Sequence, residues 1–247
     1  VQQYDYPYMT DGKVFEECGN LRKVSFEEGT NNIYMILNRC PSVQNINIPE
    51  TVTQIDRRAF LGCTSLKSIS LPDSITSMGT EIFEGCTSLS SVKLPNKRVN
   101  ITSSTFEGCT SLTEITLPDT VTTIQDHAFK NCTALKTINW SKSITDIQSY
   151  AFENCDALTK LAIPNTVTNI GTGAFYECGG FTDIVVPNSV KNLGSRAFEN
   201  CDALAKVSIS DSVTSMGEKA FYDCDALTDV KLGTGLMQIS TSCFEHC

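Results

Sequence analysis

Cysteine keeps time along this chain. Cys18 and Cys40 stand 22 residues apart, and Cys63, Cys86, Cys109, Cys132, Cys155, Cys178, Cys201, Cys224 and Cys247 follow at steps of 23. A fixed period in this range marks stacked supersecondary units, none of which can bury its apolar face alone. The 247 residues therefore read as one continuous array of about ten rungs rather than one or two globular domains. Residues 1–14 do not follow the repeat. With Tyr4, Tyr6 and Tyr8 around Pro7, they are expected to cap the apolar end of the first rung, and residues 15–247 to form the array. The chain opens on Val1 and stops on Cys247, a repeat cysteine, so both ends look like cuts in a longer polypeptide.

The other apolar positions fall into columns timed by the cysteines. Three residues after each cysteine comes Leu66, Leu89, Leu112 or an equivalent. Six and eight after it come pairs such as Ile69 and Leu71, Ile115 and Leu117, or Val207 and Ile209. The last two columns alternate with polar residues and favour β-branched types, so each rung should hold a short strand. Ten such strands in parallel register, at about 4.8 Å each, would make a sheet about 45 Å long. Proline then ends the strand at Pro49, Pro72, Pro95, Pro118, Pro164 and Pro187, because it has no N–H for a ladder. A second apolar pair follows, such as Ile75 and Met78, and Gly79, Gly171, Gly194 and Gly217 mark a tight turn. The segment closing each rung, such as Ala128–Cys132, has room for a second short strand and one helical turn. Phenylalanine stands three residues before almost every repeat cysteine, from Phe60 to Phe244, and should stack inward along the axis. The rung of Val92 departs from the pattern: Arg98 takes an aliphatic place, and Val99 and Ile101 are expected to restore the packing through a bulge.

These columns, LxxIxLPxxxxxIxxxAFxxCxxL, closely resemble the BspA-like leucine-rich repeat family. The rung Leu112-Thr113-Glu114-Ile115-Thr116-Leu117-Pro118, continuing to Ile124, Ala128-Phe129 and Cys132, matches position by position. The resemblance implies a right-handed, mostly β leucine-rich-repeat solenoid. One face would carry a parallel β-sheet and the other short strands, turns and single helical turns. It also implies a secreted or surface-attached microbial protein, and some members of the family are adhesins for host matrix proteins or other cells. The family has no catalytic residues to carry over, and no motif defines its binding residues.

The inventory of chemical groups points away from catalysis. His127 and His246 are the only histidines and lie five rungs apart, so neither can serve the other in a nucleophile–base pair. Cys243-Phe244-Glu245-His246-Cys247 resembles a metal motif only in isolation. In register Cys243 takes the small-residue place of Ala128 and Ala151, and zinc wants four converging ligands. The acidic column through Glu84, Glu107, Glu153 and Glu199 lacks the chelating loop of a calcium site. No cofactor is expected. Net charge of -9 with scattered basic residues argues against nucleic acid, and no apolar run is long enough to span a bilayer. Cysteines on adjacent rungs come within disulfide range at Cα, but their Cβ vectors run parallel, so a ladder of buried free thiols is expected. Such thiols sit uneasily with an oxidising exterior unless the habitat is anaerobic or the burial complete.

Solenoids bind through their extended surfaces, so the expected binding surface is the outer face of the sheet, five and seven residues after each cysteine. The candidate residues are Lys93, Glu114, Thr116, Asn139, Lys160, Asp183, Lys206, Asp229 and Lys231. The strip is rich in hydroxyls, amides and mixed charge but lacks the Trp, Tyr and Arg of typical hot spots. The function expected is a non-enzymatic adhesion module at the cell surface or outside the cell. Its partners would be host matrix proteins, other cell-surface proteins or glycans. The alternatives are a passive stalk or the targeting module of a larger protein.

Overall fold

Residues one repeat apart become neighbours in space. The computed structural model describes residue 15 and residues 17–247, and the expected cap at 1–14 lies outside the described residues. Along the first line of strands, Val24 faces Ile46, Ile69 faces Val92, Ile115 faces Ile138, and Ile184, Val207 and Val230 face one another in turn. All pairings are parallel, as a chain that returns to the same edge on every turn requires. The expected alternation shows in Ser68–Ser70 and Glu114–Thr116, which each bury only the central residue, but at the last rung Asp229–Lys231 is exposed throughout.

The first line is not one uninterrupted ladder. It divides into the pairs Lys23–Ser25 with Asn45–Asn47, Ser68–Ser70 with Ser91–Lys93 and Glu114–Thr116 with Thr137–Asn139, and the triplet Asp183–Val186, Lys206–Ile209 and Asp229–Lys231. No strand forms at residues 160–163, yet Leu161 and Ile163 stay buried there. At that gap packing of the inward columns continues although the strand ladder is interrupted.

A second line of two-residue strands forms the longest ladder. It runs from Thr123–Ile124 through Asp146–Ile147, Asn169–Ile170, Asn192–Leu193 and Ser215–Met216 to Gln238–Ile239. This strand falls on the second apolar pair, before the glycine column rather than after it. The closing segment is a run of hydrogen-bonded turns instead of a helical turn: Lys130 N–H donates to His127 O at 3.0 Å and Cys132 N–H to Phe129 O at 3.0 Å. Five residues are too few to repay the nucleation of a helix. These turns are also stitched to the next rung, as Phe129 N–H donates to Ala151 O at 2.8 Å and Asn131 N–H to Glu153 O at 2.8 Å.

The core is built as the columns dictate. From Phe60 to Phe244 the rings stack with centroids 5.1–5.6 Å apart, and Trp140, partly buried, meets Phe152 edge-on at 5.9 Å. Arg98 is exposed while Val99 and Ile101 are buried, so the bulge restores the core, and the strand shrinks to a bridge from Ile101 to Ile124. In the regular rungs the proline carbonyl accepts the next turn's bond, for example Val121 N–H to Pro118 O at 2.9 Å, whereas in the irregular rung Val99 N–H goes to Lys97 O instead. Where serine replaces proline, buried Ser141 keeps that role and also donates its hydroxyl to Val121 O at 2.6 Å.

The column of Gly79, Gly171, Gly194 and Gly217 has a different cause from the one expected. None of these glycines has a positive φ. A Cβ at Gly194 would instead lie 2.4 Å from the Gly171 backbone, so glycine serves close approach between rungs. Positive φ occurs four residues apart in the closing turns, mostly at other residue types: His127 and Asn131, Tyr150 and Asn154, Arg196 and Asn200.

Candidate functional site

The sheet face presents the expected residues together. Lys93, Glu114, Thr116, Asn139, Lys160, Asp183, Lys206, Asp229 and Lys231 are all exposed, on one side of the first line. In its middle, Asn139 Nδ2 donates to Glu114 Oε1 at 2.6 Å and Thr116 Oγ1 at 3.0 Å. Asn139 and Thr116 are register partners, and Glu114 sits diagonally across, so the bonds tie two rungs into a fixed polar patch. Toward the last rungs, Asp183, Lys206 and Asp229 lie side by side in register, as do Val185, Ser208 and the neighbouring Lys231. Among the described residues, the side chains of Lys160, Lys206, Asp229 and Lys231 take no hydrogen bond or ion pair. Val185, 64 % exposed, is an apolar point among these charges.

The edge made by the closing turns is chemically richer than its acidic column alone suggests. Arg57 and Arg58 both bind the Glu81 carboxylate, and Lys130 pairs with Glu153 at 3.0 Å. Burial tends to raise the Glu81 pKa, but hydrogen bonds from Arg58 and Arg57 outweigh it and hold the group below the usual carboxylate range. Glu199 goes the other way: burial pushes it up, opposed by Arg196 and Lys219 and reinforced by Asp223 and Glu177. Aromatic rings also gather here. His127 stacks on Tyr150 at 5.5 Å, Tyr150 meets Tyr176 edge-on at 6.1 Å, and Lys219 Nζ sits 4.4 Å from the Tyr222 ring centre. The legible signal was positional: aromatic residues recur at two outward places of the closing turn, beside the phenylalanine column.

The cysteine column is structural. From Cys86 onward each buried repeat thiol donates to the carbonyl of the phenylalanine one rung back, as Cys86 does to Phe60 O at 3.2 Å and Cys132 to Phe106 O at 3.1 Å, while Cys63 donates to Leu37 O at 3.5 Å. Burial pushes the Cys63, Cys178 and Cys224 thiols up to about 12, which suppresses the nucleophilic thiolate. Cys243 is buried in the alanine column, and His246 lies 3.8 Å from Asp223 and 3.7 Å from Glu245. No group of three or more potential metal ligands forms among the described residues.

With this geometry in hand, the comparisons are decisive about family. The model of the BspA type leucine rich repeat region matches residues 34–159 and 145–247, in six copies. The chain belongs to the BspA-type leucine-rich-repeat family. A leucine rich cell surface protein from Faecalibacterium prausnitzii is 26% identical, with a TM-score of 0.61 over 88% of this chain and 61% of that one. The present chain thus spans less than two thirds of that relative. A leucine-rich repeat protein from Bacteroides ovatus, 23% identical, aligns with a TM-score of 0.51 over 94% of this chain and 78% of its own. The pneumococcal vaccine antigen PcpA, 15% identical, aligns with a TM-score of 0.58 over 89% of this chain and 56% of its own. The last two establish the shared fold only. No curated protein gives a significant match. No helix among the described residues is long and apolar enough to cross a membrane.

Proposed function

We propose that this BspA-type repeat protein is a non-enzymatic adhesion module, at the cell surface or outside the cell, which binds protein or glycan ligands through its sheet face. The observation that carries this reading is the in-register row Asp183–Lys206–Asp229 with Lys160, Lys231 and Val185 beside it. The backbone register spaces these charges one rung apart, and the side chains of Lys160, Lys206, Asp229 and Lys231 have no intramolecular partner to give up on meeting a ligand. The cell-surface description of the Faecalibacterium prausnitzii relative supports the location. Host matrix proteins and the proteins or glycans of other cells are the partners this surface would meet.

The test is binding of the 1–247 chain to immobilised matrix proteins and glycans at low and moderate salt. Lys160→Glu, Asp183→Lys, Lys206→Glu and Asp229→Lys would be run alongside. Saturable binding that these reversals abolish supports the reading. Failure to bind any member of a broad panel would overturn it and leave a passive stalk as the better account.

A further inference from the structure

The charges of the sheet face follow a pattern over the last four rungs. Lys160, Asp183, Lys206 and Asp229 occupy one outward column, and their signs alternate. Asp183, Lys206 and Asp229 are register partners in turn. Lys160 stands one repeat before Asp183 and keeps the outward phase, because Leu161 and Ile163 beside it remain buried. The earlier rungs of this column carry Lys23, Asn45, Ser68, Ser91, Glu114 and Thr137, with no such alternation.

The row does not close on itself. Asp183 Oδ2 accepts from the Thr182 hydroxyl at 2.7 Å, and among the described residues the other three side chains take no hydrogen bond or ion pair. Two residues further along each strand position come Ala162, Val185, Ser208 and Lys231. Val185 is the apolar point of this second column.

A row of even length and alternating sign is its own complement when reversed. Consider a second copy related by a two-fold axis parallel to the strands, midway between Asp183 and Lys206. It sets Lys160 of each copy against Asp229 of the other, and Asp183 against Lys206. Four opposite-charge pairs form and no like charges meet. The same rotation sets Lys231, the longest side chain of the second column, against Ala162, the smallest, and Val185 against Ser208. Stacked sheets lie about 10 Å apart, a gap that facing Lys and Asp side chains can bridge and that the small residues leave uncrowded.

Pitch separates a second copy from other polypeptides. The row advances by about 4.8 Å per rung, or about 14 Å in three steps. Successive turns of a helix advance by about 5.4 Å, and same-side residues of an extended strand by about 6.8 Å. Over the row these drift by about 2 Å and about 6 Å, whereas a copy of this sheet stays in step.

We propose that the sheet face over these four rungs binds a second copy of this chain, with the two solenoid axes antiparallel. The inference rests on the sheet-face reading above and names its partner. Exposed ion pairs are individually weak and screened by salt, so one contact is weak and an array of copies on a surface gains by multivalency.

The experiment measures self-association of the 1–247 chain by sedimentation velocity and by binding to the immobilised chain, at low and high sodium chloride. The parent should associate saturably, and less at high salt. Lys206→Asp places like charges together twice in the symmetric pair and should weaken association by about tenfold or more. Inverting the whole row, with Lys160→Asp, Asp183→Lys, Lys206→Asp and Asp229→Lys together, restores the complement. That variant should associate with itself as the parent does, yet bind the parent about tenfold more weakly or worse. Lys191→Glu, on the second line of strands, makes the same change in net charge as Lys206→Asp and should leave association unchanged.

The proposal is overturned if the parent does not self-associate, or if the inverted row fails to bind itself or binds the parent equally well. It is also overturned if Lys191→Glu weakens association as much as Lys206→Asp. Association through the apolar last rung, where Leu232 and Ile239 are 44 % and 47 % exposed, would survive high salt and every one of these charge changes, and so would count against it. Matrix or glycan binding without self-association overturns this inference alone. Self-association without any such ligand removes the heterotypic reading and leaves this interface standing.

Discussion

The sheet face and the turn edge carry the same 23-residue rhythm but respond to it differently. On the sheet face, extended backbone lets small polar residues and mixed charges alternate with the core, and substitutions there act only on what the surface binds. At the turn edge the backbone crosses into the left-handed region twice per rung, and glycines permit close approach in between. There the choice of residue acts on folding and on surface chemistry together. The sheet face is thus a neutral canvas, and the edge is where sequence freedom and backbone constraint collide.

The comparison is broken most violently through the core that both faces share. Phe152→Ala removes a ring stacked between Phe129 and Phe175 at 5.1 and 5.4 Å, and should cost about 3–5 kcal/mol in a urea melt. A loss below about 1 kcal/mol would mean that the ring stack carries little of the stability. Next comes the glycine test. Gly194→Ala drives a Cβ to 2.4 Å from the neighbouring backbone and should destabilise by about 1–3 kcal/mol. Gly85→Asn, at φ of 70° with its nearest foreign atom 3.8 Å away, should cost under about 1 kcal/mol because asparagine tolerates that region.

Two carboxylates sharpen the description of the edge through opposite pH dependence. Glu81 is held low, so its stabilisation is present above the ordinary carboxylate pKa and is lost as pH falls through the folded value. Glu199 is held high, so its contribution is present below the ordinary value and is lost as pH rises through the folded one. Unfolding midpoints from about pH 3 to about pH 7 should therefore shift in opposite senses in Glu81→Gln and Glu199→Gln. The Glu81 variant should lose less on the acid side, and the Glu199 variant less on the neutral side. Parallel behaviour would contradict the assigned environments.

The gentlest probe is alkylation. Cys247 is exposed and Cys18 partly so, whereas the thiols between them are buried. Iodoacetamide on the native protein should label those two first and reach the others only on unfolding. Rapid labelling of Cys132 would show that the ladder opens. On the sheet face, Lys206→Glu should change stability by no more than about 0.5 kcal/mol.

Much of this was legible in advance. The phenylalanine ring stack, the buried cysteines, the exposed candidates from Lys93 to Lys231 and the rescue of Arg98 by Val99 and Ile101 all follow from residue type and phase. The second strand was misplaced because Ser77–Met78 and its equivalents are only two residues long, too short for alternation to register. The helical turn failed because the Ala128–Cys132 segment bonds to the adjacent rung instead of to itself. The stacking of His127 on Tyr150 went unread because the outward places of the closing turn carry no constant residue type, although the two stand one repeat apart.

The sequence by itself determined the architecture, since a strict period forces equivalent residues to stack and apolar columns can be buried only by doing so. Tertiary structure alone decided the rest: which glycines serve close approach, where φ turns positive, and which outward side chains meet. Those outcomes depend on the distance between neighbouring rungs and on backbone dihedrals, and neither is written into the identity of a single residue.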